Sequence, residues 1–315
     1  MPHHVRTPRR IRQRVRLLFV NTQERAALTA LGLTSYTQWI AEATGLDTDQ
    51  IVTVDVADGQ PLPGTIDADA IIGGGSGHSA YESLPWIARV KEFYRAAARA
   101  GVPELHICWS HQARAESVGG RAAIGGHGRR FGVDTVRLTP AGRLDPIFAG
   151  LPDEFDLFTS HVDVVDQLPA QSAEGGAVVE LAYSRVYRNE ALAIGPTVRT
   201  IQAHPEITAT IVAALARSRR GALVREGRIG PADADLDGLI ADLYAREAQI
   251  VATSRRLVRN WLRHHVRPGG RDVTPAESTA TRGAAGAGPS ATIGGADVPA
   301  AVGAGLPATV GGGVL

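Results

Sequence analysis

The segment from Gly101 to Gly120 constrains the fold of this chain more than any other stretch. It opens with Gly-Val-Pro, continues as a short apolar run over Leu105–Trp109, and changes from Ser110 onward to residues that favour a helix. This order predicts a strand, a sharp turn and a helix, with Cys108 at the turn. The N-terminus of a helix stabilises a thiolate, and the next backbone N–H can face a developing oxyanion. The stretch is therefore typical of a nucleophile.

Cys108 is the only cysteine of the chain. Most free cysteines are small buried hydrophobic residues, so a second signal is needed. The run Thr200–Glu206, which reads Thr-Ile-Gln-Ala-His-Pro-Glu, supplies it. Glu206 can hold one ring nitrogen of His204 while the other faces the thiol, and the proline between them stiffens the link. Cysteine, histidine and glutamate form the nucleophile, base and orienting group of covalent acyl transfer.

Four segments in this order resemble class I (triad-type) glutamine amidotransferases. They are Ala70–Glu82 with its glycine-rich loop, Cys108–Gln112 followed by two glycines, Phe158–Asp163 with Ser-His-x-Asp, and His204–Glu206. The resemblance covers roughly residues 16–266 and is to a stand-alone domain like the glutaminase part of GMP synthases.

The resemblance implies roles for the residues of the site. Cys108, His204 and Glu206 match the family's triad, and the backbone amide of Gly75 or Ser76 would complete an oxyanion hole with that of Trp109. The residues implied in binding a glutamine-like substrate are Gln112, Ser160, His161 and Asp163. The glycine-rich loop could also be a plain tight turn, and Ser-His-x-Asp a polar turn between strands. His161 is a rival for the catalytic base; His204 is preferred because Glu206 can orient it.

The implied reaction is hydrolysis of a glutamine γ-carboxamide, or of a γ-glutamyl amide, through a thioester on Cys108. No cofactor or metal is expected. The ammonia would pass to a separate synthetase, or the protein would act as a stand-alone hydrolase.

The elbow departs from the family pattern Gly-x-Cys-x-Gly, because His106 and Ser110 occupy the glycine positions. Two residues before Cys108 on a strand, His106 is expected to project to the same side as the thiol. There it would narrow the pocket or alter the environment of the thiolate. A buried, hydrogen-bonded histidine without a chemical role is the favoured alternative.

The fold class is predicted to be α/β. Strand, helix and strand signals over Arg16–Asn21, Glu24–Ala43 and Ile51–Val56 indicate a parallel sheet. We expect one domain over residues 16–266, with a mostly parallel, flavodoxin-like central sheet and helices on both faces, ending in a long amphipathic helix over 236–266. Residues 1–15 are expected to be a basic disordered tail, and 267–315 a disordered tail rich in Gly, Ala and Pro.

Composition limits the classes of partner and compartment. A formal net charge of +1 gives no global reason to expect nucleic acid or an anionic membrane as partner. A single cysteine excludes an intramolecular disulfide and a cysteine-cluster metal site, and a reactive thiol favours the cytoplasm. No run reaches the roughly 18–20 apolar residues of a membrane span, and no signal peptide is indicated.

Two alternatives of different kinds stay open. Homoserine O-acyltransferases resemble this superfamily, with Cys-Trp at the elbow, His-Pro-Glu, and an Asn-Trp-Leu segment, here at Asn260–Leu262. Such an enzyme would transfer an acyl group from acyl-CoA. The altered elbow also allows a non-catalytic binding or regulatory protein, although all three triad residue types are retained.

Overall fold

A computed structural model describes residues 14–33, 35–172 and 175–268 of the chain. Eleven strands lie within these residues: Leu17–Asn21 (β1), Ile51–Asp55 (β2), Ala70–Gly73 (β3), Glu104–Ile107 (β4), Arg121–Ile124 (β5), Arg130–Leu138 (β6), Glu154–His161 (β7), Asp163–Gln167 (β8), Val178–Ser184 (β9), Ala191–Ile194 (β10) and Val198–Ile201 (β11). The same residues form eight α-helices: Arg25–Ala30 (α1), Tyr36–Thr44 (α2), Pro85–Arg99 (α3), Trp109–Ser117 (α4), Pro140–Leu144 (α5), Ala209–Ser218 (α6), Arg220–Arg225 (α7) and Asp233–His265 (α8).

Nine of the strands form one sheet in the order β2-β1-β3-β4-β11-β10-β9-β6-β7. The five strands from β2 to β11 run parallel, and the pairs from β11 to β7 are antiparallel. Strands β5 and β8 form a separate antiparallel pair. The predicted α/β class with its mostly parallel sheet and helices is confirmed, and the antiparallel half extends it on one side.

The sheet separates two apolar cores, because alternate residues of a strand point to opposite faces. In β1, Leu17 and Phe19 belong to the core shared with α2, α6 and α8, whereas Leu18 and Val20 belong to the core shared with α3. Both faces are thus covered by helices, and the central strands are buried on both sides, as parallel strands usually are.

Local signals determine where several helices begin and end. The helix expected over Glu24–Ala43 is divided into α1 and α2, since Gly32 adopts φ 65°, which ends a right-handed helix. Helix α3 begins at Pro85, because proline is accommodated in a first turn. The short helix α5 is capped by the Thr139 hydroxyl, which accepts from the Gly142 N–H.

Helix α8 spans 33 residues and closes the face of the sheet that carries α2 and α6. Its Leu243, Leu257 and Trp261 are fully buried. The side chain of Asn260 donates to the carbonyls of Ile147 and Ala149 at 3.1 and 2.9 Å, so the Asn-Trp-Leu segment anchors the helix to the domain. The two predicted tails, apart from residues 14–15 and 267–268, lie outside the described residues.

The order of the parallel strands brings three loops together. Strands β3, β4 and β11 are neighbours and parallel, so their carboxyl ends lie at one edge of the sheet. The glycine-rich loop follows β3, Cys108 follows β4, and the His-Pro-Glu turn follows β11. Ligand sites of open parallel sheets form at such an edge.

Candidate active site

Cys108 occupies the turn between β4 and α4 in a strained conformation. Its backbone has φ 52° and ψ −106°, in a region that residues with a Cβ seldom adopt. Its N–H donates to the Ile201 carbonyl at 2.8 Å, which fastens the turn to the end of β11. The thiol is therefore presented at the start of a helix and next to the strand that precedes His204.

His106 does not project to the same side as the thiol, so that expectation was wrong. Side-chain alternation holds only within a strand, and β4 ends at Ile107. The positive φ of Cys108 then directs the thiol into the core with α2 and α6, whereas His106 packs at 4.2 Å, ring centroid to ring centroid, against Tyr94 of α3. The His106 Nε2 lies 2.6 Å from Glu104 Oε2 in full burial. The favoured alternative, a buried and hydrogen-bonded histidine, agrees with this geometry.

Ser110 also faces away from the thiol and is hydrogen-bonded to the glycine-rich loop. Its hydroxyl donates to the Gly74 carbonyl at 2.7 Å, and its backbone N–H reaches the same oxygen at 3.2 Å. His106 stands so close to the loop that a Cβ at Gly73 would lie 2.7 Å from its Nδ1. The two residues that replace the elbow glycines therefore fit against a glycine of the neighbouring strand.

His204 and Glu206 are adjacent and fully shielded from solvent. The His204 Nδ1 lies 2.7 Å from Glu206 Oε1, and the His204 backbone N–H donates to the Phe158 carbonyl at 2.9 Å. Burial alone lowers the pKa of His204, but the charges of Cys108 and Glu206 and hydrogen bonds to both raise that pKa to about 10. The His204 ring is therefore protonated at neutral pH, beside the Cys108 sulfur and the Glu206 carboxyl group. The structure thus brings together the three predicted triad residues.

Tyr36 connects the glycine-rich loop to the carboxylate of Glu206. Its hydroxyl donates to Glu206 Oε1 at 2.8 Å and accepts from the Gly75 N–H at 2.8 Å. Burial, followed by the charge of Glu206, raises the pKa of Tyr36 well above its ordinary value, so the hydroxyl stays a donor. The Gly75 N–H is engaged by this contact, whereas the Ser76 N–H donates to no group in the described part of the chain.

The Trp109 N–H is the other predicted oxyanion donor. As the first residue of α4 it has no carbonyl one turn earlier within the helix. Its indole ring is buried on the opposite face of the sheet from the thiol, 5.1 Å from the ring of Trp86. The side chain therefore anchors α4, and the backbone N–H is left at the elbow.

The predicted substrate residues form one connected group. The Gln112 side-chain amide donates to the Asp163 carbonyl at 2.9 Å and to Gln202 Oε1 at 3.1 Å. The Gln202 amide in turn lies 3.6 Å from the Cys108 sulfur. His161 Nδ1 lies 2.9 Å from the Asp163 carbonyl, so the Ser-His-x-Asp stretch, at the end of β7 and the start of β8, borders the elbow.

His161 and His204 differ in ionisation. Burial lowers the pKa of His161 to about 3; the hydrogen bond to the Asp163 carbonyl raises the pKa only in part, and the charge of His204 lowers it again. His161 has a backbone oxygen as its partner, whereas His204 has a carboxylate. This contrast agrees with the preference for His204 over His161 as the base.

Three residues near the site were missed from the sequence. Gln202 stands two positions before His204, and strand alternation could have directed it to the same side. Tyr36 and Arg219 offered no such signal, because each reaches the site from a distant helix. The Arg219 Nη1 donates to Ser160 Oγ at 2.7 Å, and the charge of Cys108 acts on its guanidinium.

The thiol lies in a closed site, with Cys108 4% exposed. A surface depression of about 420 Å³ is found elsewhere, beside Lys91 and Arg95 of α3. Among the described residues, no group of three His, Cys, Asp or Glu side chains is arranged to hold a metal ion. None of the helices in the described ranges combines the length and apolarity needed to cross a membrane.

Comparison with known proteins identifies a family. The sequence profile described as "Glutamine amidotransferase class-I" matches residues 34–214, more than half of the chain. A γ-glutamyl-L-1-hydroxyisopropylamide hydrolase from a Pseudomonas species is 30% identical over 165 residues, which are 50% of this chain and 54% of that protein. A GMP synthase (glutamine-hydrolysing) from Vibrio parahaemolyticus is 32% identical over 111 residues, 35% of this chain and 20% of that protein. The chain thus spans about a fifth to a half of the length of these relatives.

Solved structures share the fold at low sequence identity. A glutamine amidotransferase from Thermotoga maritima superimposes with a TM-score of 0.63 at 19% identity, covering 79% of this chain and 98% of that one. One from Methylobacillus flagellatus gives a TM-score of 0.59 at 17% identity, with 82% and 98% covered. These likenesses extend the match beyond the profile to most of the described domain.

Proposed function

Because this chain belongs to the class I glutamine amidotransferase family, we propose that it hydrolyses the γ-carboxamide of glutamine, or a γ-glutamyl amide, through a thioester on Cys108. The observation that carries the proposal is the arrangement of Cys108, His204 and Glu206 at the ends of the adjacent strands β4 and β11. A relative named for hydrolysing a γ-glutamyl amide and others named for hydrolysing glutamine support the same substrate class.

In the first half-reaction, the Cys108 thiolate attacks the γ-carbonyl carbon and forms a tetrahedral intermediate. The backbone N–H groups of Trp109 and Ser76 receive the oxyanion; Ser76 is preferred to Gly75, whose N–H is engaged by Tyr36. The C–N bond then breaks as the His204 imidazolium gives its proton to the leaving nitrogen. The products of this step are the Cys108 thioester and ammonia or an amine.

In the second half-reaction, neutral His204 takes a proton from water, and the hydroxide attacks the thioester. The second tetrahedral intermediate collapses with release of glutamate, and the proton on His204 restores the starting ion pair. Glu206 holds the imidazole in one orientation throughout, and the Tyr36 hydroxyl holds Glu206. Gln112, Ser160, His161 and Asp163 border the space that the glutamyl part would occupy.

The fate of the nitrogen follows from the substrate. With glutamine, ammonia is released to a separate synthetase; the Vibrio relative, whose name joins a synthase activity to glutamine hydrolysis, supports such a use of the ammonia. With a γ-glutamyl amide, an amine is released and the protein acts alone. The reaction requires Cys108 to stay reduced, which fits a reducing compartment such as the cytoplasm.

The test is labelling by a diazo-ketone analogue of glutamine, followed by intact mass and an ammonia assay. We expect the wild-type protein to be labelled once by the analogue, to be protected from labelling by glutamine, and to release ammonia from glutamine. Cys108→Ala should show neither labelling nor ammonia release. His204→Asn is a second control, because it keeps the thiol but removes the base. Absence of both labelling and ammonia or amine release would refute the proposal, and consumption of acyl-CoA with homoserine would support the acyltransferase alternative instead.

A further inference from the structure

Arg219 lies at the edge of the candidate site, where the charges of Cys108 and Glu226 act on its guanidinium without a direct ion pair in the described part of the chain. It stands at the junction of α6 and α7, and its Nη1 donates to Ser160 Oγ at 2.7 Å. Within the described residues it forms no ion pair with any carboxylate. Burial lowers the pKa of Arg219 to about 10, even though the charge of Cys108 acts to raise it. Arg219 is half-buried, and a cation that is taken partly out of water is normally paired, because desolvation of a charge is costly.

Two arginines close to Arg219 are paired with carboxylates. Arg129, whose charge also acts on Arg219, lies 2.8 Å from Glu226, and Arg220 lies 2.7 Å from Asp233. The missing counter-ion of Arg219 is therefore best supplied by an anion that enters the site.

Position indicates which anion this is. Ser160 lies two residues after Phe158, whose carbonyl holds the backbone of His204, so the guanidinium is fixed close to the triad. Any ligand group that reaches Arg219 is part of the molecule that reacts at Cys108. The γ-glutamyl group itself carries one anion, the α-carboxylate, which is separated from the reacting carbonyl carbon by three carbon atoms. Arginine binds a carboxylate through two parallel N–H donors, with geometric as well as electrostatic selectivity.

We propose that Arg219, oriented by Ser160, binds the α-carboxylate of the substrate and restricts the enzyme to γ-glutamyl compounds in which that carboxylate is free. This inference rests on the proposed function and specifies which γ-glutamyl compounds are substrates. Glutamine and small γ-glutamyl amides are accepted, whereas a glutamine residue whose α-carboxyl is amidated, as inside a peptide, is rejected. Arg219 lies outside residues 34–214, so the match to the family profile does not include it.

The experiment compares two substrates that differ only in charge: γ-L-glutamyl-p-nitroanilide and its α-carboxamide. For wild type we expect a KM about 10- to 100-fold higher for the α-carboxamide, the range of a lost charge-assisted contact. Arg219→Gln should raise the KM of the free acid by a similar factor, change kcat less than about threefold, and treat both substrates alike. Arg219→Lys, a variant that keeps the charge, should retain part of the discrimination. Arg217→Gln, an exposed position on the same helix, is the matched control and should behave as wild type.

A purely structural role for Arg219 gives a different result. Arg219→Gln would then lower kcat/KM for both substrates by the same factor and leave their ratio unchanged, which would overturn the proposal while leaving the hydrolase activity established.

A binding measurement separates this proposal from failure of the proposed function. In a Cys108→Ala background no thioester forms, and calorimetry with L-glutamate and its α-amide reports recognition alone. We expect L-glutamate to bind about 10- to 100-fold more tightly than the α-amide, and Arg219→Gln to abolish the difference. That result would support the carboxylate site even if wild type released no p-nitroaniline. Equal binding of the two compounds, or binding of neither, would overturn it.

Discussion

Replacing Tyr36 by phenylalanine removes one oxygen atom that two parts of the site share. The hydroxyl accepts from the Gly75 N–H and donates to Glu206 Oε1, each at 2.8 Å and away from solvent. Tyr36→Phe leaves the ring in its contacts with Phe19 and Trp39, so little packing is lost. The effect of the substitution is therefore that of two broken buried hydrogen bonds.

Each buried group left without its partner costs about 1–3 kcal/mol. Glu206 Oε1 keeps its contact with His204, whereas the Gly75 N–H loses the acceptor that the structure gives it. We expect the free energy of unfolding of Tyr36→Phe to fall by about 2–4 kcal/mol, with kcat/KM for glutamine lower by about 10- to 100-fold, because Glu206 loses the hydrogen bond that fixes its own position beside His204.

The assays are urea titration followed by fluorescence and a steady-state glutaminase assay on the folded variant. Tyr94→Phe is the matched control, since Tyr94 is equally buried but contacts Ser110 Oγ at 3.1 Å on the other face of the sheet. Loss of the Tyr94 hydroxyl should lower the free energy of unfolding by about 1 kcal/mol and change kcat/KM less than threefold. If Tyr36→Phe matches wild type in both assays, or loses no more activity than Tyr94→Phe, the hydrogen bonds of the Tyr36 hydroxyl to Gly75 and Glu206 do not contribute to catalysis.

Three further predictions concern charge. Burial raises the pKa of Glu190 from 4.5 to about 8, so the folded protein retains a proton that the unfolded chain releases above pH 4.5. The contribution of Glu190 to the free energy of unfolding should therefore fall by about 1.4 kcal/mol per pH unit between those values, and the stability difference between wild type and Glu190→Gln in urea titrations should change with that slope over pH 5.5–7.5. A pH-independent difference between the two proteins would contradict this. Glu206→Gln removes a charge that raises the pKa of His204. We expect kcat to fall about 100-fold or more and the alkaline limb of the pH–rate profile to move to lower pH. An alkaline limb at the wild-type pH would refute this prediction. His106→Ala removes the side chain that lies 2.6 Å from Glu104 and should lower the free energy of unfolding by about 3 kcal/mol or more. The kcat/KM of the folded variant should change less than tenfold. Loss of activity in a variant as stable as wild type would refute this prediction.

Local signals sufficed for the α/β fold and for the contact between His204 and Glu206. The apolar run before Cys108 and the change of pattern after it predict a strand and a helix, and both lie within two residues of the expected bounds. The two-residue spacing of His204 and Glu206 fixes their contact by covalent geometry. These features depend on neighbours in the chain, which is why the sequence carries them.

Other features were decided by tertiary structure. The side of the sheet that His106 faces depends on where β4 ends and on the positive φ of Cys108, and neither follows from alternation. Residues 36 and 206 are 170 positions apart, and their contact exists only because α2 packs on the sheet beside the end of β11. Arg219 reaches Ser160 across 59 positions in the same way. Residue type and spacing specify the chemistry available to this chain, whereas packing of distant elements determines which groups share a buried environment, and hence their charge and role.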